Sequence, residues 1–374
     1  MKVRQGSNKI KGFFSDKMAG FFPALLLFAA VFSLFAACNE AVAGDLGLVK
    51  NGDFEVGDTG QLGYVTITDW SSWGNSGWHH NDYNHTISGS KAVKMWWDDS
   101  GLWQDFAVTA STDYYFNAYF YNLSTDPLHL WNGYLKVEWY TSGSAKISED
   151  FIGYLYPDGT DPYNIWKNVS AKITSPSTAA YGRPVFGIKD WASGCSGAVS
   201  LDDLYAGTSA PSGPTVGGTV YTDDTEATPI SGAPVRVIVY DSSLSRTSSF
   251  TATTDANGVY SVTLQSGELG DNDIISACLT GSDKATSVYR CGGTSNVSNL
   301  NLYKDHVVVF NNDTTNMTND DLYKVDDGNA NILYSVSAAS GGNLTVDSNI
   351  ELFLEGSSAK TFAPGGNVTV QGTG

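Results

Sequence analysis

The chain has 374 residues, 13% of them aromatic and only 16% charged, with a formal net charge of -18. So acidic a chain lacks the Lys and Arg counter-charges that nucleic acid or an anionic membrane surface requires, which excludes both as electrostatic partners. The length allows two or three domains. Abundant Gly, Ser, Thr, Asn and Tyr, with no long helical pattern after the first forty residues, predicts short strands and polar turns, hence an all-β protein.

Residues 1–43 read as a targeting segment. Lys2, Arg4, Lys9, Lys11 and Lys17 form a basic stretch, residues 20–37 are apolar, and Ala41-Val42-Ala43 has the form of a cleavage site. A signal peptide cleaved before Gly44 is the first expectation, and an uncleaved helical anchor is an alternative. A lipoprotein box at Phe35-Ala36-Ala37-Cys38 is another, although Phe35 stands where Leu is usual. Each exports the rest of the chain, bacterial-style, to the medium or the cell surface. Only this segment is expected to meet a membrane.

Residues 45–207 are expected to form the first domain. Period-two alternation marks strands at 92–97, 103–108, 114–121, 134–140, 166–173, 183–189 and 198–205, with Gly, Asp, Ser and Pro turns between them. Seven or more such strands predict a β-sandwich. All ten tryptophans lie between Trp70 and Trp191, so this domain holds more rings than one sheet face can bury.

Alternate side chains of a strand point to opposite faces. Val93, Met95, Trp97, Phe106, Phe116, Phe120, Leu135, Val137, Trp139, Phe186 and Ile188 therefore form the expected core. The opposite set is Trp96, Trp103, Tyr115, Asn117, Tyr119, Tyr121, Glu138, Tyr140 and Arg183. Flat rings stack on the C–H faces of sugars, while amide, carboxylate and guanidinium groups take the hydroxyls. A polysaccharide is thus the expected partner. The alternative is that another layer covers this face and its rings are core.

The opening Asn51-Gly52-Asp53-Phe54-Glu55, the stretch Gly89-Ser90-Lys91-Ala92-Val93, Gln104-Asp105-Phe106-Ala107-Val108, Trp166 and Leu201-Asp202-Asp203-Leu204 carry a family resemblance. The first domain resembles a jelly-roll carbohydrate-binding module of the galactose-binding-like superfamily, of the kind found beside xylanases and glucanases. The resemblance implies a structural calcium ion held by the Asp53 and Lys91 carbonyls and the Glu55 and Asp202 carboxylates. Oxygen donors suit calcium. The family usually has Gly where this chain has Asp53. On their own, Glu55 and Asp202 read as ordinary turn and edge carboxylates.

Residues 208–215 read as a small, Pro-containing linker. Residues 216–304 follow, with Asn257-Gly258 as a hairpin signal. Gly218-Thr219-Val220, Pro229-Ile230-Ser231-Gly232-Ala233-Pro234-Val235 and Thr253-Thr254-Asp255-Ala256-Asn257-Gly258-Val259-Tyr260 make this segment similar to the transthyretin-like module of carboxypeptidase regulatory regions. That implies a smaller Ig-like sandwich acting as a spacer. Cys278 and Cys291 flank a turn-rich segment and are expected to pair as a disulfide outside the cell; Cys195 is left over. Residues 305–374 read as an incomplete β region, the start of a β-solenoid in a fragmentary reading frame.

No Gly-x-Ser-x-Gly, His-Glu-x-x-His or phosphate loop is present, so no catalytic machinery is expected. Asp98-Asp99 and Asp202-Asp203 are adjacent pairs, and neighbours on a strand face opposite ways. The segment 79–85, with His79, His80 and His85, reads as a polar loop at a cleft rim rather than as a metal site. The expected function is non-catalytic extracellular polysaccharide binding. The alternatives are a structural or adhesive surface protein that keeps the sandwich without the sugar site, and a fragment of a larger polysaccharide-degrading enzyme.

Overall fold

The computed structural model describes residues 46–62, 64–74, 77–80, 83–85, 89–96, 100–159, 161–189, 196–311, 315–326, 328, 330–337, 342–356 and 362–371. The expected targeting segment, Trp97, Asp98, Asp99 and Cys195 lie outside the described residues.

The protein is all-β, as expected. Its principal element is a twelve-stranded sheet. The first half runs, edge inward, through Gly60–Gln61, Gly77–His80, Ala92–Trp96, Ala198–Gly207, Asp113–Tyr121 and Trp166–Thr174. A six-stranded sheet faces it, with Ser71–Trp73, Gly101–Trp103, Tyr181–Lys189, Asn132–Tyr140 and Lys146–Leu155 in order; Phe106–Ala107 pairs beside Tyr181–Lys189. Between them lies a core that includes Met95, Phe116, Phe120, Leu135, Trp139 and Phe186, all at most 1% exposed. Every described residue of that expected set is buried there, and Val108, which the alternation also turns inward, is partly buried against it.

Trp166–Thr174 does not end the large sheet. It pairs in parallel with Arg246–Thr253, with Trp166 opposite Ser248. The sheet then continues through Pro234–Asp241, Asp271–Leu279, Thr286–Gly292, His306–Asn311 and Glu351–Gly356. One face of this second half is covered by a three-stranded sheet of Val259–Thr263, Thr215–Tyr221 and Leu302–Tyr303, and Val220, Val237, Phe250, Tyr260 and Ile275 pack between the two. The other face is covered by the helix Asn319–Lys324 and the strands Tyr334–Val336 and Leu344–Val346. Thr318 and Asp321 cap that helix reciprocally.

The layering rules out the expected disulfide. Cys278 packs with Ile238 and Val307 on one face of the sheet, and Cys291 packs with Val220 and Val297 on the other. Cys278 lies opposite Thr286 in the antiparallel ladder, five residues before Cys291. At about 3.4 Å per residue that is roughly 17 Å along the strand, against a Cα separation of about 7 Å at most for a disulfide. Both are buried thiols and are not joined to each other.

Candidate functional site

The nine residues of the expected binding face divide between the two sheets. Trp96, Tyr115, Asn117, Tyr119 and Tyr121 stand on the large sheet, and Trp103, Glu138, Tyr140 and Arg183 on the six-stranded one. The large sheet continues past Trp166–Thr174, so the second sandwich folds over the outer face near that strand.

Tyr119 and Asn117 are therefore not ligand-facing. Tyr119 is 0% exposed, packs with Phe250 and Leu264, and donates its hydroxyl to Glu268 Oε2 at 2.6 Å. Burial, then the neighbouring Glu268, holds its hydroxyl well above the usual tyrosine range. Asn117 Oδ1 accepts from Asn168 Nδ2 at 2.9 Å and from Gln265 Nε2 at 3.3 Å. Tyr121 lies half-buried between Tyr83 and Trp166, with ring centroids at 5.3 and 4.9 Å, and burial pushes its hydroxyl up to about 12. Tyr115 lines a cleft against Pro211 and Thr263 beneath the Lys172 ammonium, and Trp96 leans on Trp78. None of these five belongs to the open face.

The outer face of the six-stranded sheet has no such cover among the described residues. Its ladder fixes four successive rows. Trp73, Gly101, Gly187, Tyr134 and Tyr154 form the first, and Trp103, Val185, Lys136 and Phe151 the second. Arg183, Glu138 and Glu149 form the third, and Ala107, Tyr181, Tyr140 and Lys146 the fourth. Phe151 is 37% exposed and Tyr156, just beyond Tyr154, is 42% exposed.

Glycines let the first row lie close. A Cβ at Gly101 would stand 2.0 Å from Trp73 Cη2, and one at Gly187 would stand 2.8 Å from the Tyr134 hydroxyl. Both rings therefore lean across positions that carry no side chain. Tyr134, Phe151, Tyr154 and Tyr156 continue as a chain of ring contacts at 6.0, 5.0 and 5.8 Å. On the fourth-row side, the Arg183 guanidinium carbon sits 3.8 Å from the Trp103 ring centroid and 4.7 Å from that of Tyr140. Tyr140 in turn stacks on Tyr181 at 5.0 Å and 6°. Asp105 fixes the guanidinium, accepting from Nε at 2.7 Å and from Nη2 at 3.0 Å, and so raises the pKa of Arg183 further.

Charged groups run between the two ring clusters. Lys136 and Lys146 each bridge Glu138 and Glu149, at 2.7 to 2.8 Å. Burial alone would raise Glu138, but hydrogen bonds from Lys136, Lys146 and the Tyr140 hydroxyl outweigh it and bring the carboxyl down to about 2. The same two lysines lower Glu149. Both carboxylates are thus held ionised, whereas a glycosidase needs one of its pair protonated near neutral pH.

No protein-family model matches the chain. No curated protein matches it. Among solved structures it is similar to the enzymatically active domain of bacteriophage CBA120 tailspike protein 4, at 13% identity and TM-score 0.32 over 43% of this chain and 21% of that one. It is similar to the CBM22-1–GH10 modules of Clostridium thermocellum endo-1,4-beta-D-xylanase 10B complexed with xylohexaose, at 14% and 0.28 over 41% and 28%. It is also similar to the CBM22-1 xylan-binding domain of Paenibacillus barcinonensis Xyn10C, at 12% and 0.30 over 44% and 94%. The chain spans only 21% and 28% of the first two. At these TM-scores the open face is read from its own chemistry.

The sequence pattern placed Trp103, Glu138, Tyr140 and Arg183 on one surface, and the structure brings those four together. It missed Phe151 and Tyr154 because the strand Lys146–Leu155 was missed. Two register shifts, at Leu135/Lys136 and Trp139/Tyr140, break its alternation, so Phe151 and Tyr154 share a face three residues apart. Trp73 stands on a three-residue strand, too short for a periodic signal.

The donors implied for calcium do not fit that ion as they stand. Glu55 Oε1 accepts from the Ser90 and Lys91 amides, both at 2.8 Å. The Lys91 ammonium already occupies the loop, donating to the Glu55 and Gly57 carbonyls at 2.8 and 3.0 Å. Asp202 is fully buried, with Oδ2 accepting from the His85 amide and Oδ1 from the Asp203 amide.

The histidines are not rim residues either. His79 bridges the Asp58 and Phe54 carbonyls, at 2.8 and 2.6 Å. His85 contacts Asp202 through its amide and Asp203 through Nδ1 at 2.6 Å. Asp203 has φ 50° at a bulge, which turns both adjacent carboxylates toward His85 instead of to opposite faces.

Proposed function

We propose that this chain is a non-catalytic polysaccharide-binding protein of the cell exterior, and that the outer face of its six-stranded sheet holds the glycan. The arrangement that supports this reading is the pair of ring clusters on one sheet face that no other layer covers among the described residues: Trp73, Tyr154, buried Tyr134 and exposed Phe151 on one side, Trp103, Tyr140 and Tyr181 on the other, with a fixed charged strip between them. Rings supply stacking surface for sugar C–H faces, and Arg183, Glu138, Lys136 and Glu149 supply donors and acceptors in set positions. A site several strands wide suits an extended chain better than a single sugar. On this reading the binding is non-catalytic, with Glu138 and Glu149 tied to Lys136 and Lys146 as fixed hydrogen-bonding groups.

Affinity gel electrophoresis against xylan, β-glucan, mannan and cellulose tests the proposal. Retardation on one of them is expected for the native chain and is expected to fall markedly for Trp103→Ala combined with Tyr134→Ala. A folded protein that no glycan retards would instead be a structural or adhesive surface protein, and retardation left undiminished by the double substitution would assign this binding away from the sheet face.

A further inference from the structure

A cavity of about 590 Å³ lies over the second sandwich. Its floor is the parallel pair Thr286–Gly292 and His306–Asn311, in which the register sets Tyr289 beside Phe310. In-register rings on parallel strands stack, and these do so at 5.3 Å and 7°. Its wall is the loop 293–301.

That loop is fastened to Thr215–Tyr221. Asn296 Oδ1 accepts from the Thr215 amide at 2.9 Å, and Asn301 Oδ1 accepts from the Thr219 amide at 3.0 Å. The backbone adds Val297 N to Thr215 O at 2.8 Å and Leu300 N to Gly217 O at 3.0 Å. Between these ties, exposed Ser298 and Asn299 line the cavity, with Asn299 at φ 64°. Opposite them, the Glu226 carboxylate accepts from Asn301 Nδ2 at 3.1 Å and from the Tyr303 hydroxyl.

The lining chemistry selects a ligand class. Glu226 is the one charged side chain among the lining residues, so an anion finds no counter-charge there. Amides, hydroxyls and a carboxylate make most of the rim, which a purely apolar ligand would leave unsatisfied. Apolar ring surface from Tyr289 and Phe310 beside polar donors and acceptors matches a neutral polyhydroxylated ligand. Cavities of about 300–1,000 Å³ hold drug-sized ligands.

We propose that this cavity is a second binding site, for a neutral saccharide, and that it works independently of the six-stranded sheet face. Two sites on one chain raise avidity for a polysaccharide that spans both.

Isothermal titration of the full chain with xylohexaose, cellohexaose, mannohexaose and maltohexaose tests it. In the Trp103→Ala/Tyr134→Ala protein one saccharide is expected still to bind. Every tryptophan lies between Trp70 and Trp191, so that residual binding should release or absorb heat with tryptophan emission unchanged. Tyr289→Ala is expected to weaken it at least tenfold. Asn299→Gly keeps the left-handed backbone and removes only the amide, so it decides the matter if Tyr289→Ala does not fold; a weakening of at least threefold is expected. Residual binding unaffected by Asn299→Gly and by a folded Tyr289→Ala overturns the proposal. So does a Trp103→Ala/Tyr134→Ala protein that binds none of the four, an outcome that leaves the sheet-face reading standing if the native chain binds. A native chain that binds none overturns both.

Discussion

Tyr119 donates a hydrogen bond to Glu268 across 149 residues of sequence, at 2.6 Å, and so joins the first sandwich to the second. The His85 ring stacks on Tyr119 with centroids 3.6 Å apart, and its Nε2 lies 3.1 Å from Glu268 Oε1. The residue that alternation placed on a binding face is part of the joint between the sandwiches. Tyr119→Phe removes the hydroxyl and leaves a buried carboxylate short of a donor, which costs about 1–3 kcal/mol. Urea denaturation should show that loss while oligosaccharide affinity stays at the native value. Intact stability with lost binding would return Tyr119 to the ligand.

Gly187 separates binding from folding on the open face. A methyl group there displaces the Tyr134 hydroxyl, the mobile end of a side chain. Gly187→Ala should therefore weaken glycan binding several-fold with little change in melting temperature. Tyr134→Ala removes the ring and should weaken binding about tenfold or more, on the order of 1.4 kcal/mol. Titration calorimetry beside a thermal melt checks both, and an unaltered affinity in the pair would exclude the first row from the site.

The Lys136–Glu138–Lys146–Glu149 network carries a pH signature. Glu138 titrates at about 2 in the fold against an ordinary 4.5. Its folded pKa is depressed, so its contribution is complete above about 4.5 and is lost as pH falls toward 2. Glu138→Gln should lower stability by on the order of 1 kcal/mol at pH 7. The gap between variant and native protein should close between pH 4.5 and 2; a gap of constant size would show that the carboxylate is not held by the lysines.

Cys278 and Cys291 face opposite layers. Dithiothreitol should leave the melting temperature unchanged, and both thiols should react with iodoacetamide after unfolding without prior reduction. A protein that needs reduction before labelling would contradict the layering.

The Lys91 ammonium supplies the positive charge in the loop that joins Glu55 to Gly57. EDTA should not shift the melting temperature, whereas Lys91→Met should lower stability by about 1–3 kcal/mol because two carbonyls lose their donor. A marked drop on chelation would restore a calcium ion to this loop.

The sequence by itself determined the all-β architecture and the inward side of each strand whose alternation is unbroken. Val93, Met95, Phe116, Leu135, Trp139 and Phe186 face the core because period-two geometry is a local property of the chain. The same alternation put Trp103, Glu138, Tyr140 and Arg183 on a shared outward surface. It was silent about Phe151 and Tyr154, whose strand is interrupted by bulges, and about Trp73. Only the tertiary structure decided which outward face stays open. Trp166 meets Ser248, and Tyr119 meets Glu268, through contacts between segments roughly 80 to 150 residues apart. Those contacts cover Tyr119 and Asn117, and no such cover lies over the outer face of the six-stranded sheet among the described residues. They also set Cys278 and Cys291 on opposite faces, which nearness in sequence could not reveal. A side chain's direction is set by its own strand; what covers it is set by the parts of the chain that fold back over that strand.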